Sequence, residues 1–468
     1  MTALAFHIDR VKKIPLSNQI YSAVRDAIET GQIPAHTKLP SWRDLAAQLG
    51  VSRGTVRLAY ERLIDEQLAV GLGAAGTRVT ERPPSSRSVS TPESSPMPAL
   101  FRDFSTAPKV FQMGVPAQDA FPYPLWSRLS IKASRDASTA PVGYPDPRGE
   151  AELRGEVAAY LSIARGLQCS PSQVFITGGF AGALGLVTRG LRLEGQTAWV
   201  EDPGFPLTRT ALTLAGLNVA AIPVDAEGLD VAAGLRLAGN AALAVVTPGQ
   251  QAPLGMTMSL ARRLQLLEWA RSTGAWIIED DYLGELQLNG RAAPALASLA
   301  QDERVLHIGT FSKTISPALR LGFLVVPPAL VQPFGDLATC LAPAPAAAIQ
   351  RTVANFMHEG HYLRHLRRMK RLYAARRAAL LRCLEEEASD ALTVQMTAGM
   401  AVVTQLTGPR SDVEIALKAR GFGLSPSPLS PWSVRASQAQ GLLLGVTNIN
   451  EQRLAADCRQ LAALVRSG

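Results

Sequence analysis

The stretch HIGTFSKTISPALRLG, residues 307–322, sets one lysine, Lys313, beside the hydroxyls of Thr310 and Ser312, just after an apolar run that reads as a strand. A lysine amine condenses with an aldehyde to a Schiff base. A site built for pyridoxal phosphate (PLP) adds an acid facing the pyridine nitrogen, an anchor for the phosphate and a ring that stacks on the cofactor. Each has a candidate here. AWIIEDDYLGE ends a buried-strand pattern with Asp280, whose carboxylate could hold the pyridinium proton, and Tyr282, whose phenol could bond the ring oxygen. FITGGFAGAL passes from a strand through Gly178 and Gly179 into a helix, a geometry that points free backbone N–H groups at a phosphate. EDPGFP offers Phe205 for stacking, and Arg320 adds a fixed positive charge suited to a dianion. Singly these are weak: a lone Ser-Lys is usually an exposed loop lysine, an acidic triplet a solvated strand end, and a phenylalanine a core residue. Their order and spacing are what raise them together.

The elements that must carry these residues follow from hydrophobic periodicity. QVFIT, TAWVED, ALAVVTP, AWIIEDD, RVLHIGT and LGFLVVP are short apolar runs separated by helical patterns such as MSLARRLQLLEWARSTG. Such alternation predicts an α/β domain with a mainly parallel sheet over residues 113–468. From residue 360, beginning with the basic helix HYLRHLRRMKRLYAARRAALLRCLEEEA, a smaller α+β subdomain is expected. The run RHLRRMKR in that helix reads as a solvated or dimer-facing surface ahead of a second DNA surface. Residues 83–112 open with PPSSRSVSTPESSPMP, too poor in apolar surface to repay ordering, and are expected to be a Pro/Ser-rich linker.

Residues 1–82 read as a separate small domain. PLSNQIYSAVRDAIETGQI is an amphipathic helix, and LPSWRDLAAQLGVSRGTVRLAYERL gives two more around a tight turn, with Ser41 and Ser52 as N-caps and Gly50 between them. That is helix-turn-helix spacing. Arg53, Thr55 and Arg57 at the start of the second helix could reach base edges or phosphates in a major groove, while LAVGLGAAGTRVT predicts a two-stranded wing presenting Gly76 and Arg78. The domain holds eleven Lys/Arg against eight Asp/Glu, so binding by a dimer, with strong salt dependence, is expected. The whole chain carries a net charge of +8, which favours polyanions without proving one. No apolar stretch approaches the roughly 20 residues that span a bilayer, and the N-terminus lacks a charged-then-apolar leader, so a cytoplasmic protein is expected. Cys169, Cys340, Cys383 and Cys458 show no paired spacing, which argues against a disulfide frame or a metal site.

The N-terminal unit resembles the winged helix of the GntR regulator family, a likeness carried by LPSWRDLAAQLGVSRGTVRLAYERL. It implies that Arg43, Arg53 and Arg57 contact DNA. The rest resembles fold-type I PLP aminotransferases. With GYPDPRGEAELRGEVAAYLSIARG, EDPGFP, VVTPGQQAPLGMTMSLARRLQLLEWA, IIEDDYLGE and GTFSKTISPALRLGFLVVP, the whole chain looks like a MocR-subgroup GntR regulator. The resemblance implies an internal aldimine on Lys313, with Asp280 as pyridinium partner, Tyr282 as O3′ partner and Phe205 as the stacking ring. It implies a phosphate site of Thr310, Ser312, Arg320 and the Gly179 and Phe180 backbone, with Gln251 also lining the cofactor pocket. Tyr144 is implied to reach the phosphate of a neighbouring subunit, in a homodimer whose small domains can cross over. The chain departs from the subgroup at three places. Gln250 stands where many members have histidine, and Leu207 and Asn448 stand where members that recognise amino acids can carry arginine. Arg209, two residues from the first gap, is the candidate substitute. A bidentate arginine is the usual clamp for a carboxylate, so amino-acid turnover is not expected. The leading expectation is a regulator that binds double-stranded operator DNA and senses PLP, or an amine or amino-acid effector, through Lys313. The alternative is a PLP-dependent aminotransferase with a fused DNA-binding domain.

Overall fold

Ser41 and Ser52 take the capping positions that the sequence predicts, and they set the geometry of the small N-terminal unit. The Ser41 Oγ accepts from Asp44 N at the start of α2 (Trp42–Leu49), and the Ser52 Oγ accepts from Thr55 N at the start of α3 (Arg53–Asp65). Gly50 ends α2 in the left-handed region (φ 63°), where only a residue without Cβ is unstrained, and so makes the tight turn. α1 (Leu16–Glu29) packs Ile20, Tyr21 and Val24 against Leu45, Val56, Tyr60 and Leu63 in one small core. Strands β1 (Ala69–Gly71) and β2 (Thr77–Val79) pair antiparallel as the wing, and Lys38 adds a bridge to Arg78.

This computed structural model describes residues 8–10, 14–81, 109–139, 143–288, 292–300, 304–434 and 440–467. The chain divides into two compact units, residues 1–95 and 96–468. Of the expected linker 83–112, residues 83–108 lie outside the described residues. Its last four residues depart from expectation. Phe111 is fully buried, and its carbonyl accepts from Gly445 N at 2.8 Å. A buried aromatic and this backbone bond pin the end of the expected linker to the large unit.

The large unit is built on one sheet of β3 (Val174–Thr177), β4 (Thr197–Asp202), β5 (Asn218–Asp225), β6 (Gly228–Leu229), β7 (Leu243–Val246), β8 (Trp276–Asp281), β9 (Val305–Thr310) and β10 (Gly322–Val325). Their order is β3-β10-β9-β8-β7-β4-β5-β6. The run β9-β8-β7-β4-β5 is parallel, while β10 is antiparallel to both of its neighbours. Six of these strands are the apolar runs read from the sequence. β5 carries no continuous apolar run, since NVAAIPVD is half-buried and rich in small residues, as suits a strand near the sheet edge. Helices α4 (Tyr123–Ser138), α5 (Ala151–Arg165), α6 (Phe180–Gly190), α7 (Pro206–Leu214), α8 (Val231–Ala238), α9 (Leu260–Thr273), α10 (Val331–Leu341) and α11 (Ala347–His358) surround it. Separate apolar clusters form against α5 and α11, against α6 and α10, and against α8 and α9.

The smaller α+β part follows. α12 (His361–Ala388) leads into β11 (Leu392–Ala398), β12 (Ala401–Leu406), α13 (Asp412–Ala419), β13 (Ser427–Pro428), β14 (Gly441–Gly445) and α14 (Leu454–Ser467), with sheet order β11-β12-β14-β13. α12 buries Tyr362, His365, Leu366 and Met369 while exposing Arg364, Arg367, Arg368 and Arg371, an amphipathic division of the basic run.

Candidate functional site

The carboxyl ends of β4, β8 and β9 bring the candidate residues together, which is where parallel α/β sheets place their ligands. Register puts Asp280 of β8 opposite Ile308 of β9, one strand away from the turn that carries Lys313. Buried Phe311 and Ile315 anchor that turn, the former through Phe311 N to Leu321 O at 3.1 Å. Lys313 is half-buried, and its Nζ donates to the carbonyl of Gly114 at 3.0 Å. Burial, with the Arg320 guanidinium adding to it, lowers the lysine pKa against the pull of Asp280, which enlarges the neutral, nucleophilic fraction.

Strand alternation separates the three acids of the EDD triplet. Asp280 is buried and makes no side-chain hydrogen bond among the described residues. Burial first, then the carboxylates of Asp281 and Glu201, push its pKa up to about 8. Glu279 and Asp281 face the other way and are structural. Glu279 accepts from Leu296 N and Ala297 N and pairs with the buried His307 at 3.0 Å, while Asp281 takes both Nε and Nη2 of Arg165, at 2.7 and 3.2 Å. A solvated strand end is thus the wrong reading for all three. Tyr282 is half-buried, its phenol has no hydrogen-bond partner among the described residues, and burial, with Asp280 next, raises its pKa.

The phosphate candidates gather at the start of α6. Gly179 (φ 79°) is its N-cap and supplies no side-chain cap, so the first-turn N–H groups of the helix are left for another acceptor. Arg320, itself left-handed (φ 48°), lies on this turn with Nη2 donating to Gly178 O at 3.2 Å. Thr310 Oγ1 donates to Ser312 Oγ at 3.0 Å and accepts from Ser312 N, placing both hydroxyls in the turn before Lys313. Phe205 sits half-buried at the head of α7, its ring centroid 5.6 Å from that of Trp432 and tilted by 44°.

Two of the candidate side chains are bonded within the fold, and a third faces solvent. Gln251 is buried, and its amide is fully used: Nε2 donates to Glu201 Oε2, Pro203 O and Ala252 O, and Oε1 accepts from Leu254 N. Its amide braces the loops that carry Pro203, Ala252 and Leu254. Arg209 is partly committed, with Nη1 donating both hydrogens, to Gly204 O and Trp432 O, and Nη2 donating one to Pro431 O. Tyr144 is fully exposed and takes no part in the site of its own chain. Asn448 accepts from Gln118 N at 3.4 Å and donates to Thr447 Oγ1.

Sequence reasoning missed Glu201, Trp432 and Gly114. Glu201 is buried behind the site and accepts from both N and Oγ1 of Thr247; burial raises its pKa to about 7 against those bonds. Its only signal was the acid before Asp202 in EDPGFP. Trp432 comes from a segment more than two hundred residues away, with no local cue.

On the small unit, Arg43, Arg53 and Arg57 are exposed along α2 and α3, with Arg57 paired to Glu61 at 3.3 Å. Ser41, Ser52 and Thr55 use their hydroxyls locally, the last two 2.7 Å apart. Gly76 (φ 91°) turns the wing, and Arg78 donates to His36 O.

Comparison with known proteins agrees with both halves. The family model for bacterial regulatory proteins of the gntR family matches residues 16–79, and that for aminotransferase class I and II matches residues 127–437. A probable rhizopine catabolism regulatory protein, MocR, from Rhizobium meliloti is 34% identical over 460 residues, covering 96% of this chain and 93% of that one. The chain belongs to the MocR-type gntR regulators. As such a regulator it is a transcription factor with a DNA-binding winged helix fused to an aminotransferase-like domain, and the cofactor of that domain is PLP. The pyridoxine biosynthesis regulator PdxR of Corynebacterium glutamicum is 30% identical over 444 residues, covering 94% of this chain and 93% of that one. An archaeal alanine:glyoxylate aminotransferase superimposes with a TM-score of 0.70 at 24% identity, covering 77% of this chain and 91% of that one, and so shares the fold of the large unit. The MocR-type assignment fits the geometry: an amine of lowered pKa, a buried carboxylate without a partner and an uncapped helix start bearing an arginine are complementary to an aldehyde, a pyridinium and a phosphate. Among the described residues no helix is long and apolar enough to cross a membrane.

Proposed function

We propose that this regulator is a cytoplasmic homodimer that binds operator DNA through α3 and the wing, and that its large unit holds PLP on Lys313 to sense PLP itself or an amine or amino acid. One observation carries the reading: the lysine amine is within electrostatic reach of both the buried Asp280 and Arg320, whose guanidinium bonds the turn at the uncapped start of α6. When bound, the cofactor supplies an aldehyde that condenses reversibly with primary amines.

The chain's own groups have distinct tasks. Lys313 presents the amine, and Asp280 holds the proton of the ring nitrogen. Tyr282 offers its hydroxyl to the ring oxygen, and Phe205 covers one face. Thr310, Ser312, Arg320 and the α6 N–H groups neutralise the phosphate. Arg43, Arg53 and Arg57 project toward phosphates and base edges of DNA, where each lost phosphate contact weakens binding in a salt-dependent way. Ligand occupancy alters operator binding only if the DNA-competent arrangement and its alternative differ in ligand affinity. Turnover is disfavoured by Leu207 and Asn448 at the positions where an arginine clamp for a substrate carboxylate is expected.

The test is a PLP titration followed by visible absorption and operator binding. Wild type should develop a Schiff-base band and a PLP-dependent change in operator affinity, and Lys313→Ala should lose both. An unchanged PLP response in Lys313→Ala overturns the mechanism. Rapid conversion of the bound cofactor to its pyridoxamine form by an amino acid replaces the sensor with the aminotransferase reading.

A further inference from the structure

Residues 109–120 run between the two parts of the large unit. Towards the C-terminal part they are pinned repeatedly: Val110 N to Gly423 O, Gly445 N to Phe111 O, Thr447 Oγ1 to Val115 O, Ala117 N to Tyr373 Oη and Gln118 N to Asn448 Oδ1. Towards the main sheet, among the described residues, the segment has a single hydrogen bond, from Lys313 Nζ to Gly114 O at 3.0 Å. Glycine suits position 114 because the backbone there is left-handed (φ 73°), and a Cβ would stand 2.6 Å from Nζ and displace the lysine end. In sequence, this segment lies ten residues beyond the Pro/Ser-rich run 83–98 on the connection from the winged helix.

We infer that Gly114 is a positioning residue for Lys313, and that its carbonyl is where the chemical state of the lysine is passed to the segment leading to the DNA-binding unit. This rests on the reading that Lys313 carries PLP. A free ammonium has three hydrogens, one of which goes to Gly114 O. Condensation with an aldehyde forms a C=N bond, releases one water and leaves Nζ at most one hydrogen, so attachment competes directly with the Gly114 bond. An incoming amine that takes over the aldehyde carbon breaks the bond to Nζ, returns the lysine as a free amine and restores the contact. The contact of the segment with the lysine turn is therefore made when the lysine is free and weakened or lost when it is occupied, while the bonds to the C-terminal part remain.

Hydrogen–deuterium exchange on the full-length protein, read in peptides covering 109–120, tests this with and without PLP. In wild type, PLP should speed exchange of the segment about fivefold, the size of losing one ordinary hydrogen bond. That direction is opposite to the slowing expected of simple ligand-induced rigidity. Lys313→Arg keeps a donor but cannot attach the cofactor, and should exchange slowly and ignore PLP. Lys313→Ala and Gly114→Ala should exchange fast whether or not PLP is present. If PLP gives wild type a Schiff-base band but leaves exchange of 109–120 unchanged or slower, the latch is wrong and the PLP reading stands. If no band forms at all, the PLP reading falls and takes the latch with it. Slow exchange in Lys313→Ala would also overturn the latch, because the segment would then be held without the lysine.

Discussion

Replacing Asp280 by asparagine should make the cofactor-free protein more stable, not less. The carboxyl is buried, and its pKa lies at about 8 instead of the ordinary 3.8, because burial and then Asp281 and Glu201 disfavour its charge. A folded pKa above the unfolded one means that between about pH 4 and 8 the folded state holds a proton that the unfolded state lacks. Stability then falls as pH rises through that window, by up to about 1.4 kcal/mol per pH unit. From pH 4 to 7 the total reaches roughly 4 kcal/mol, and asparagine, which does not titrate, escapes it. Calorimetric melts of PLP-free wild type and Asp280→Asn at a series of pH values should show the variant ahead, with its margin widening from pH 5 to 8 and levelling above. At about 1–2 °C per kcal/mol for a unit of this size, the widening is a few degrees. Excess PLP should reverse the order, since the wild-type carboxylate gains the pyridinium proton as its partner. A margin that stays flat across this pH range would refute the claim that Asp280 is a buried, partnerless acid awaiting a cationic ring.

Two further outcomes follow from the same reasoning. Arg53→Ala combined with Arg57→Ala should weaken operator binding and reduce the slope of log affinity against log salt by about two per winged helix, measured by fluorescence anisotropy over a salt series. The exposed Arg57–Glu61 pair costs little to break, so the melting temperature of the small unit should hold. Arg209→Lys keeps the charge but not the forked geometry that reaches Gly204 O, Pro431 O and Trp432 O. It should lower stability by about 1–3 kcal/mol and quicken deuterium exchange in residues 430–434, without creating or removing a carboxylate site.

The sequence by itself determined the local elements and the chemical vocabulary. Caps at Ser41 and Ser52, the left-handed turn at Gly50, the apolar runs of the parallel strands and the glycine turn before α6 are set by propensities and periods acting over a few residues. So are the candidacies of Lys313, Asp280 and Arg320, whose residue types and order point to the proposed aldehyde-binding site. Tertiary structure decided what a residue's type leaves open, namely which partners it meets. Three adjacent acids became one free carboxylate and two buried partners only because a β-strand sends alternate side chains to opposite faces, and only His307 and Arg165, distant in sequence, fix which face is which. Gln251 and Arg209 look like ligands in one dimension, yet backbone carbonyls up to 223 residues away take both amide hydrogens of the one and hold one end of the other. Gly114 lies in a segment with no motif, and its bond to Lys313 spans 199 residues. Hydrogen bonding is short-ranged in space but indifferent to separation along the chain, and so the sequence could name the lysine while only the fold could name what holds it.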